Sequence, residues 1–506
     1  MIPNTTPPSS SASDAPRWAW IALAVVVVAA LGVYFAVLTN GVGLTATDWA
    51  MYVMHARNIL HGRAYADTPY VFQPEASFEG PRSYPSGFAL LLVPWYAAFG
   101  MSIRVFKIVV DVTLALSLIP IYQFCRRYVS VWGSLAIVVA TAFGWETMQV
   151  QNELGSDAQY QLLSFAAIAL LLWVYDNGRD MAQSWLWGFL CGAVIAAAYL
   201  SRPIGLALVI GVAIADVIRK RRLSAFLIAL LVTVAASGFL NNSLFHKDSA
   251  YNDEFTHSPG LIARHALDYL IGLSQVFANP ISNQFRHLAW APFVVLAAVG
   301  VWTKIRRIGL TFVDLYCAVL LAVLCVYWLS NTRYLLPVLP IFLCYAVQGA
   351  QVVIERMPER YRQGTCLAAG AALLLAPALN LAGIRSFRYD TLVETPAFQQ
   401  LCDQMSTKTG PHDYVLFWSP RVLALYTDRP ASAYPLVAPE DLQRYVDRVR
   451  PNYIVIDKQW DQDQQFLAPM TEARPQLYAP VFENDRFRVD KVGKVAEGAS
   501  SPAVAP

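Results

Sequence analysis

Long apolar runs, broken at intervals by short clusters of charge, fill the first three quarters of the chain. An α-helix that crosses a bilayer takes about 20 apolar residues, somewhat fewer where polar ends reach the interface. Runs meeting that measure lie at 18–38, 103–125, 131–147, 157–175, 184–200, 203–218, 223–240, 288–303, 309–329, 334–353 and 365–384, which predicts about eleven spanning helices. If they alternate in direction, Arg17, Arg126-Arg127, Arg219-Lys220-Arg221-Arg222, Lys304/Arg306/Arg307 and Arg356/Arg360/Arg362 all fall on one side. Basic residues collect on the cytoplasmic side, so that side is read as the cytoplasm. The N-terminus is then inside and the C-terminal part outside.

One further run, 84–99, is apolar, but counting it as a crossing would scatter the basic clusters over both sides. It reads instead as a juxtamembrane or re-entrant helix within a first outer loop, 39–102. Ahead of it, Trp49, Tyr52, Val53, Ala56, Ile59 and Leu60 recur at helical spacing. Such a pattern predicts an amphipathic helix lying on the membrane surface. A second outer loop covers 241–287.

Composition agrees with this picture. Of the 506 residues 56% are hydrophobic and 14% charged, more apolar surface than a soluble domain can hide. A net charge of +3 is too small to suggest nucleic acid as a partner. The first apolar run is too long for a signal peptide and has no small-residue cleavage site after it, so it reads as an uncleaved helix. Six of the seven cysteines sit in or beside apolar spans and Cys402 is alone in the tail domain, a distribution that implies no disulfide framework.

From Arg385 the composition becomes that of a soluble domain. Residues 414–418, 453–457 and 486–491 read as short strands, and 439–450 as a helix opening on Glu440 and Asp441. The organisation expected is a disordered cytoplasmic tail (1–17), a transmembrane domain (18–384), an extracytoplasmic α/β domain (385–494) and a disordered tail (495–506). The fold class is thus an all-α polytopic membrane protein with a small C-terminal α/β domain.

Four charged residues stand where the spans meet the outside: Asp48 after the first span, Asp157 at the start of another, Arg202 and Arg333. Either acid could simply cap its helix. The arginines run against the charge rule, so each needs a partner or snorkels to headgroups. A lipid phosphate would serve as partner, because guanidinium binds phosphate through two parallel donors. Arg57 and Lys247, in the two outer loops, are further phosphate candidates. Asp111, deep in a span, calls for a hydrogen-bonded partner inside the bundle. His246, Asp248, Asp253, Glu254 and His257 match no zinc spacing and read as a solvated loop.

One carboxylate and one or two arginines suffice to move a sugar from a polyprenyl phosphate. The carboxylate takes the proton of an acceptor hydroxyl, and the arginines offset the charge growing on the leaving phosphate. Direct displacement inverts the anomeric centre. The competing classes are a transporter or lipid flippase, which usually shows repeats and midplane charges, and a non-catalytic polyprenyl-lipid-binding partner in glycan assembly.

The motifs Asp48-Trp49-Ala50-Met51-Tyr52, Tyr84-Pro85-Ser86-Gly87, Arg126-Arg127, Ser156-Asp157, Leu200-Ser201-Arg202-Pro203 and Arg333-Tyr334-Leu335-Leu336-Pro337 follow one another in this order. In that arrangement the chain resembles the membrane glycosyltransferases of the C-type fold, in the branch of protein O-mannosyltransferases and lipid A aminoarabinose transferases. Those open the first outer loop with Asp-Glu-x-x-Tyr. Here the first acid and the tyrosine are kept and the second acid is replaced by Trp49. The resemblance implies Asp48 as general base, Asp157 as a second acid, and Arg202 and Arg333 as phosphate contacts. Tyr52, Tyr84 and Tyr334 join them as substrate-binding candidates. It also implies a polyprenyl-phosphate sugar donor, an acceptor glycan, lipid or protein, a multi-pass location in the cell inner membrane, and no metal or cofactor.

Overall fold

A computed structural model describes residues 16–42, 47–76, 80–177, 184–245, 255, 258–281, 283–388 and 391–493. In chain order the helices are α1 (Arg17–Val37), α2 (Asp48–Leu60), α3 (Ser86–Phe99), α4 (Ile103–Arg126), α5 (Val131–Ala142), α6 (Trp145–Val150), α7 (Asp157–Asp176), α8 (Trp185–Ser201), α9 (Leu206–Lys220) and α10 (Ala225–Leu244). They continue as α11 (Pro259–Gly272), α12 (Asn283–Ile308), α13 (Phe312–Val326), α14 (Leu339–Glu355) and α15 (Glu359–Ala382). The C-terminal part adds α16 (Pro396–Lys408), α17 (Pro420–Thr427), α18 (Pro439–Val449) and α19 (Ala468–Glu472). Its strands are β1 (Val415–Leu416), β2 (Ala431–Ser432), β3 (Tyr453–Asp457), β4 (Tyr478–Glu483) and β5 (Phe487–Val492). Two compact units emerge: Met1–Thr39 with Pro85–Tyr389, and Asn40–Tyr84 with Asp390–Pro506.

The first unit is a helical bundle. By length and hydropathy, α1, α4, α7, α10, the Arg286–Ile308 part of α12, and α15 can each cross a membrane, and α3, α5, α8, α13 and α14 are shorter apolar helices. Each of the eleven apolar runs read as a span holds a helix. The run 131–147 is not one helix, however: α5 stops at Ala142 and α6 starts afresh at Trp145. Outward-facing Ile21, Val25, Val28, Trp132 and Phe239 are exposed, the apolar exterior that lipid contact requires. Inside, α8 packs on α10, α4 on α7, α12 on α14 and α9 on α13. The α12–α14 crossing is closest at Gly300 and Gly349. A Cβ at either would run into the carbonyl of Tyr345 or Leu296, so only glycine lets these backbones meet.

Three of the basic clusters are tied by acids, Lys220 by one a turn earlier in its own helix. Lys304 pairs with Asp314, which also accepts from Tyr345 Oη at 2.6 Å, Arg127 pairs with Asp176, and Lys220 meets Asp216 at 2.8 Å. Asp111 behaves otherwise than its sequence suggests. It is fully buried, and neither carboxylate oxygen has a hydrogen-bond partner among the described residues.

The second unit joins the start of the first outer loop to the C-terminal module. Its sheet has the order β2-β1-β3-β5-β4, with β1 parallel to both β2 and β3 and the β3-β5-β4 part antiparallel. The loop adds to the β2 edge. Val71 N–H donates to Ala431 O (2.8 Å) and Ala431 N–H to Pro69 O (3.0 Å), which makes Tyr70 a parallel bridge partner. Burying that edge removes a row of unpaired backbone groups. Helix α2 is not the two-faced surface helix its spacing suggests. Trp49, Ala50, Met51, Tyr52, Val53, Met54, His55, Ala56 and Asn58 are all buried, and α17 packs on it. The Asn58 amide nitrogen and a His55 ring nitrogen meet carbonyls of the following loop. Asn58 Nδ2 donates to Asp67 O at 2.7 Å, and His55 Nδ1 lies 2.9 Å from Tyr65 O.

Candidate active site

Asp48 is the first residue of α2, and the N-cap position belongs to Thr47. Tyr84 Oη donates to Asp48 Oδ1 at 2.7 Å, and a guanidinium nitrogen of Arg421 donates to the same oxygen at 3.0 Å. The side chain keeps about a third of its surface exposed (34%) and so stays accessible to a reactant. One turn along, Tyr52 sets its ring edge-on against Tyr84, centroids 5.3 Å apart. Tyr84 is itself pinned: its N–H donates to His55 Nε2 (3.3 Å), and its carbonyl accepts from Tyr65 Oη (2.8 Å). His55 stacks on Tyr65 at 4.0 Å. Arg57 turns elsewhere and pairs with Asp428 at 3.0 Å.

Arg421 is the residue that sequence reading missed. It is the second residue of α17, 373 positions from Asp48 along the chain, and no local pattern links the two. The one available signal was topological. In open α/β sheets functional groups gather beyond the carboxyl ends of parallel strands, where the strand order reverses. The order β2-β1-β3 reverses at β1, and Arg421 follows that strand directly.

In the bundle unit, Asp157 opens α7 next to the N-cap Ser156, so it too is not the capping residue. Its Oδ2 meets a guanidinium nitrogen of Arg202 at 2.7 Å, and Arg202 Nε donates to Ser156 Oγ at 3.1 Å. The Tyr334 ring is shared by two cations. The Arg202 guanidinium carbon lies 5.2 Å from its centroid and that of Arg333 5.5 Å. Arg333 also faces Glu153 at 3.7 Å. Both arginines thus have carboxylate partners within the protein. Four of the residues singled out from sequence, Asp157, Arg202, Arg333 and Tyr334, come together here. Lys247 lies outside the described residues, as do His246, Asp248, Asp253, Glu254 and His257.

Glu146 in α6 is a second group that sequence reading passed over. It is buried, hydrogen-bonded by Thr332, and borders a small pocket with Thr141, Trp145, Gln275 and Leu339.

The chemical capacity of these groups is an exposed carboxylate held by two donors, and two guanidiniums converging on one ring. The first can accept a proton and the second can bind an oxyanion. Among the described residues no set of three His, Cys, Asp or Glu side chains is arranged to hold a metal ion.

No curated protein matches the sequence. Solved structures with the same fold include ArnT from Cupriavidus metallidurans bound to undecaprenyl phosphate, with a TM-score of 0.57 and 14% identity, over 94% of this chain and 98% of that one. The oligosaccharyltransferase AglB from Archaeoglobus fulgidus, in complex with an inhibitory peptide and a dolichol-phosphate, has a TM-score of 0.57 at 11% identity, over 92% and 72%. The arabinofuranosyltransferase AftD from Mycobacteria has a TM-score of 0.52 at 13% identity, over 95% of this chain and 40% of its own. Identities this low speak to the fold alone, and that fold is the C-type fold of membrane glycosyltransferases. The family model described as "Predicted membrane protein (DUF2079)" matches residues 42–483, so the chain belongs to this family of membrane proteins.

Proposed function

We propose that this protein is an integral-membrane glycosyltransferase that moves a sugar from a polyprenyl-phosphate donor to an acceptor hydroxyl, with inversion, at the outer face of the cell inner membrane. The observation that carries the reading is Asp48, a part-exposed carboxylate held by Tyr84 and Arg421. The undecaprenyl phosphate and dolichol-phosphate bound by proteins of the same fold support the choice of donor class.

In this reaction Asp48 takes the proton of the acceptor hydroxyl as its oxygen forms a bond to the anomeric carbon. The bond from that carbon to the phosphate oxygen breaks, and polyprenyl phosphate leaves with one more negative charge. Arg202 and Arg333 neutralise that charge, each through a guanidinium with several donors. Asp157, bonded to Arg202, orients it toward the phosphate.

Two measurements test this. Mass spectrometry of lipid-linked sugars and surface glycans in a deletion strain should show a donor that accumulates and a glycan that loses one sugar. Unchanged profiles of both would overturn the reading. For orientation, a reporter fused after Ile384, and another inserted at Phe78, should be active only outside the cytoplasm. Cytoplasmic signal from both would put the acids on the wrong side for a lipid-linked donor.

A further inference from the structure

Arg421 is fully buried at 1% exposure, an uncommon state for a charged residue unless its charge is matched. Its two terminal guanidinium nitrogens make several contacts within the second unit. It donates to Asp48 Oδ1 (3.0 Å), Thr47 Oγ1 (3.4 Å) and Pro81 O (3.4 Å). The rings of Tyr70 and Tyr84 lie 4.9 and 5.3 Å from its central carbon. Tyr70 is fixed in turn by its bridge to Ala431 and by a hydrogen bond from its hydroxyl to Gly80 O (3.0 Å). Gly80 leaves just enough room. A Cβ there would come within 2.9 Å of Tyr84 Oη and 3.0 Å of an Arg421 terminal nitrogen. The surroundings are thus shaped around the pair, and an ordinary surface ion pair would need none of this.

We infer that Arg421, delivered by the C-terminal domain, is a positioning residue for Asp48: it anchors one carboxylate oxygen and keeps the acid ionised in readiness for proton transfer. This rests on Asp48 being the base. The C-terminal α/β domain thereby supplies a working component of the site. The groups around Asp48 that bear on its charge come from three elements. They are Tyr52 and His55 from α2, Tyr65, Tyr70 and Tyr84 from the following loop, and Arg421 from α17, whose last turn leads to the Arg57–Asp428 pair. Arg421 brings a full positive charge into contact with the carboxylate. An opposite charge at this range typically lowers a carboxylate's pKa by about one to three units. Removing it raises the pKa, so the acid limb of the rate profile moves to higher pH.

The test uses full-length protein purified in detergent and mixed with membranes of a deletion strain, which supply donor and acceptor together. Product is read by mass spectrometry from pH 4 to 9. For Arg421→Gln the acid limb should move up by about one to three pH units, with much of the rate regained at the alkaline end. Arg421→Lys keeps the charge but not the fork of donors, so its limb should stay nearer to wild type while the maximal rate falls. Tyr84→Phe removes the other donor to Asp48 Oδ1 with little change in packing. Its limb should move the same way by less, which decides the matter even if Arg421→Gln fails to fold. Profiles of Tyr84→Phe and Arg421→Lys that both superimpose on wild type, with Asp48→Asn inactive, would sink the inference and leave the base standing. Full activity in Asp48→Asn would remove the base and the role of Arg421 with it.

Discussion

Replacing Asp48 by Asn should lower sugar transfer by roughly two to four orders of magnitude, the range expected for loss of a general base. The substitution is nearly isosteric. An Asn side-chain oxygen can still accept from Tyr84 Oη and Arg421, so the local geometry has reason to persist. What disappears is the negative charge, and with it the ability to take a proton at neutral pH. Because Arg421 is buried, some loss of thermal stability should accompany the change. Thr47 Oγ1, Pro81 O and two tyrosine rings still receive the guanidinium, so the protein should remain folded in the membrane. Thermal unfolding and membrane abundance, measured beside the transfer rate, separate the two effects. Near wild-type transfer would show that the base lies elsewhere, and Asp157 would be the first to try.

How far the sequence exposed this arrangement depended on the physics behind each signal. Apolar helices were legible because a bilayer demands a long run of apolar residues: each of the eleven runs holds a helix, and six helices are long and apolar enough to cross a membrane. Strand β3 was legible at its full length, Tyr453–Asp457, since a strand covered on both faces reads as a continuous apolar stretch. The two-residue β2 and the edge strand β4, with Pro480 inside and mixed exposure, carry no such pattern. Helix α2 misled for the opposite reason. His55 and Asn58 look like a solvent face, yet in the interior a His55 ring nitrogen and the Asn58 amide nitrogen meet carbonyls between Ala64 and Asp67. Asp48 itself could be singled out from its place beside a span, but its partner could not. The Asp48–Arg421 contact joins residues 373 positions apart, and only the folded sheet brings α17 to α2. The same holds for Arg202 and Asp157, whose positions were each visible and whose pairing was not.

Arg202→Lys should raise the donor concentration needed for half-maximal rate by roughly ten- to a hundredfold, if each charge-assisted hydrogen bond lost is worth about 1.5–3 kcal/mol. Arg202 uses two different nitrogens at once, one on Asp157 Oδ2 and Nε on Ser156 Oγ, while its plane lies near the Tyr334 ring. An ammonium is a point charge on a flexible stem and cannot reproduce that fork. Arg333→Lys should act in the same direction but more weakly, because its contact with Glu153 is long at 3.7 Å. Acceptor dependence should change little in either variant. If the two arginines merely snorkel toward headgroups, lysine reaches the interface equally well and both swaps should be silent. Initial rates against donor concentration, taken for each variant separately, distinguish the cases. Curves that match wild type for both would place the phosphate on another cation. Arg57 already donates to Asp428, so Lys247 in the second outer loop would then be the next substitution to make.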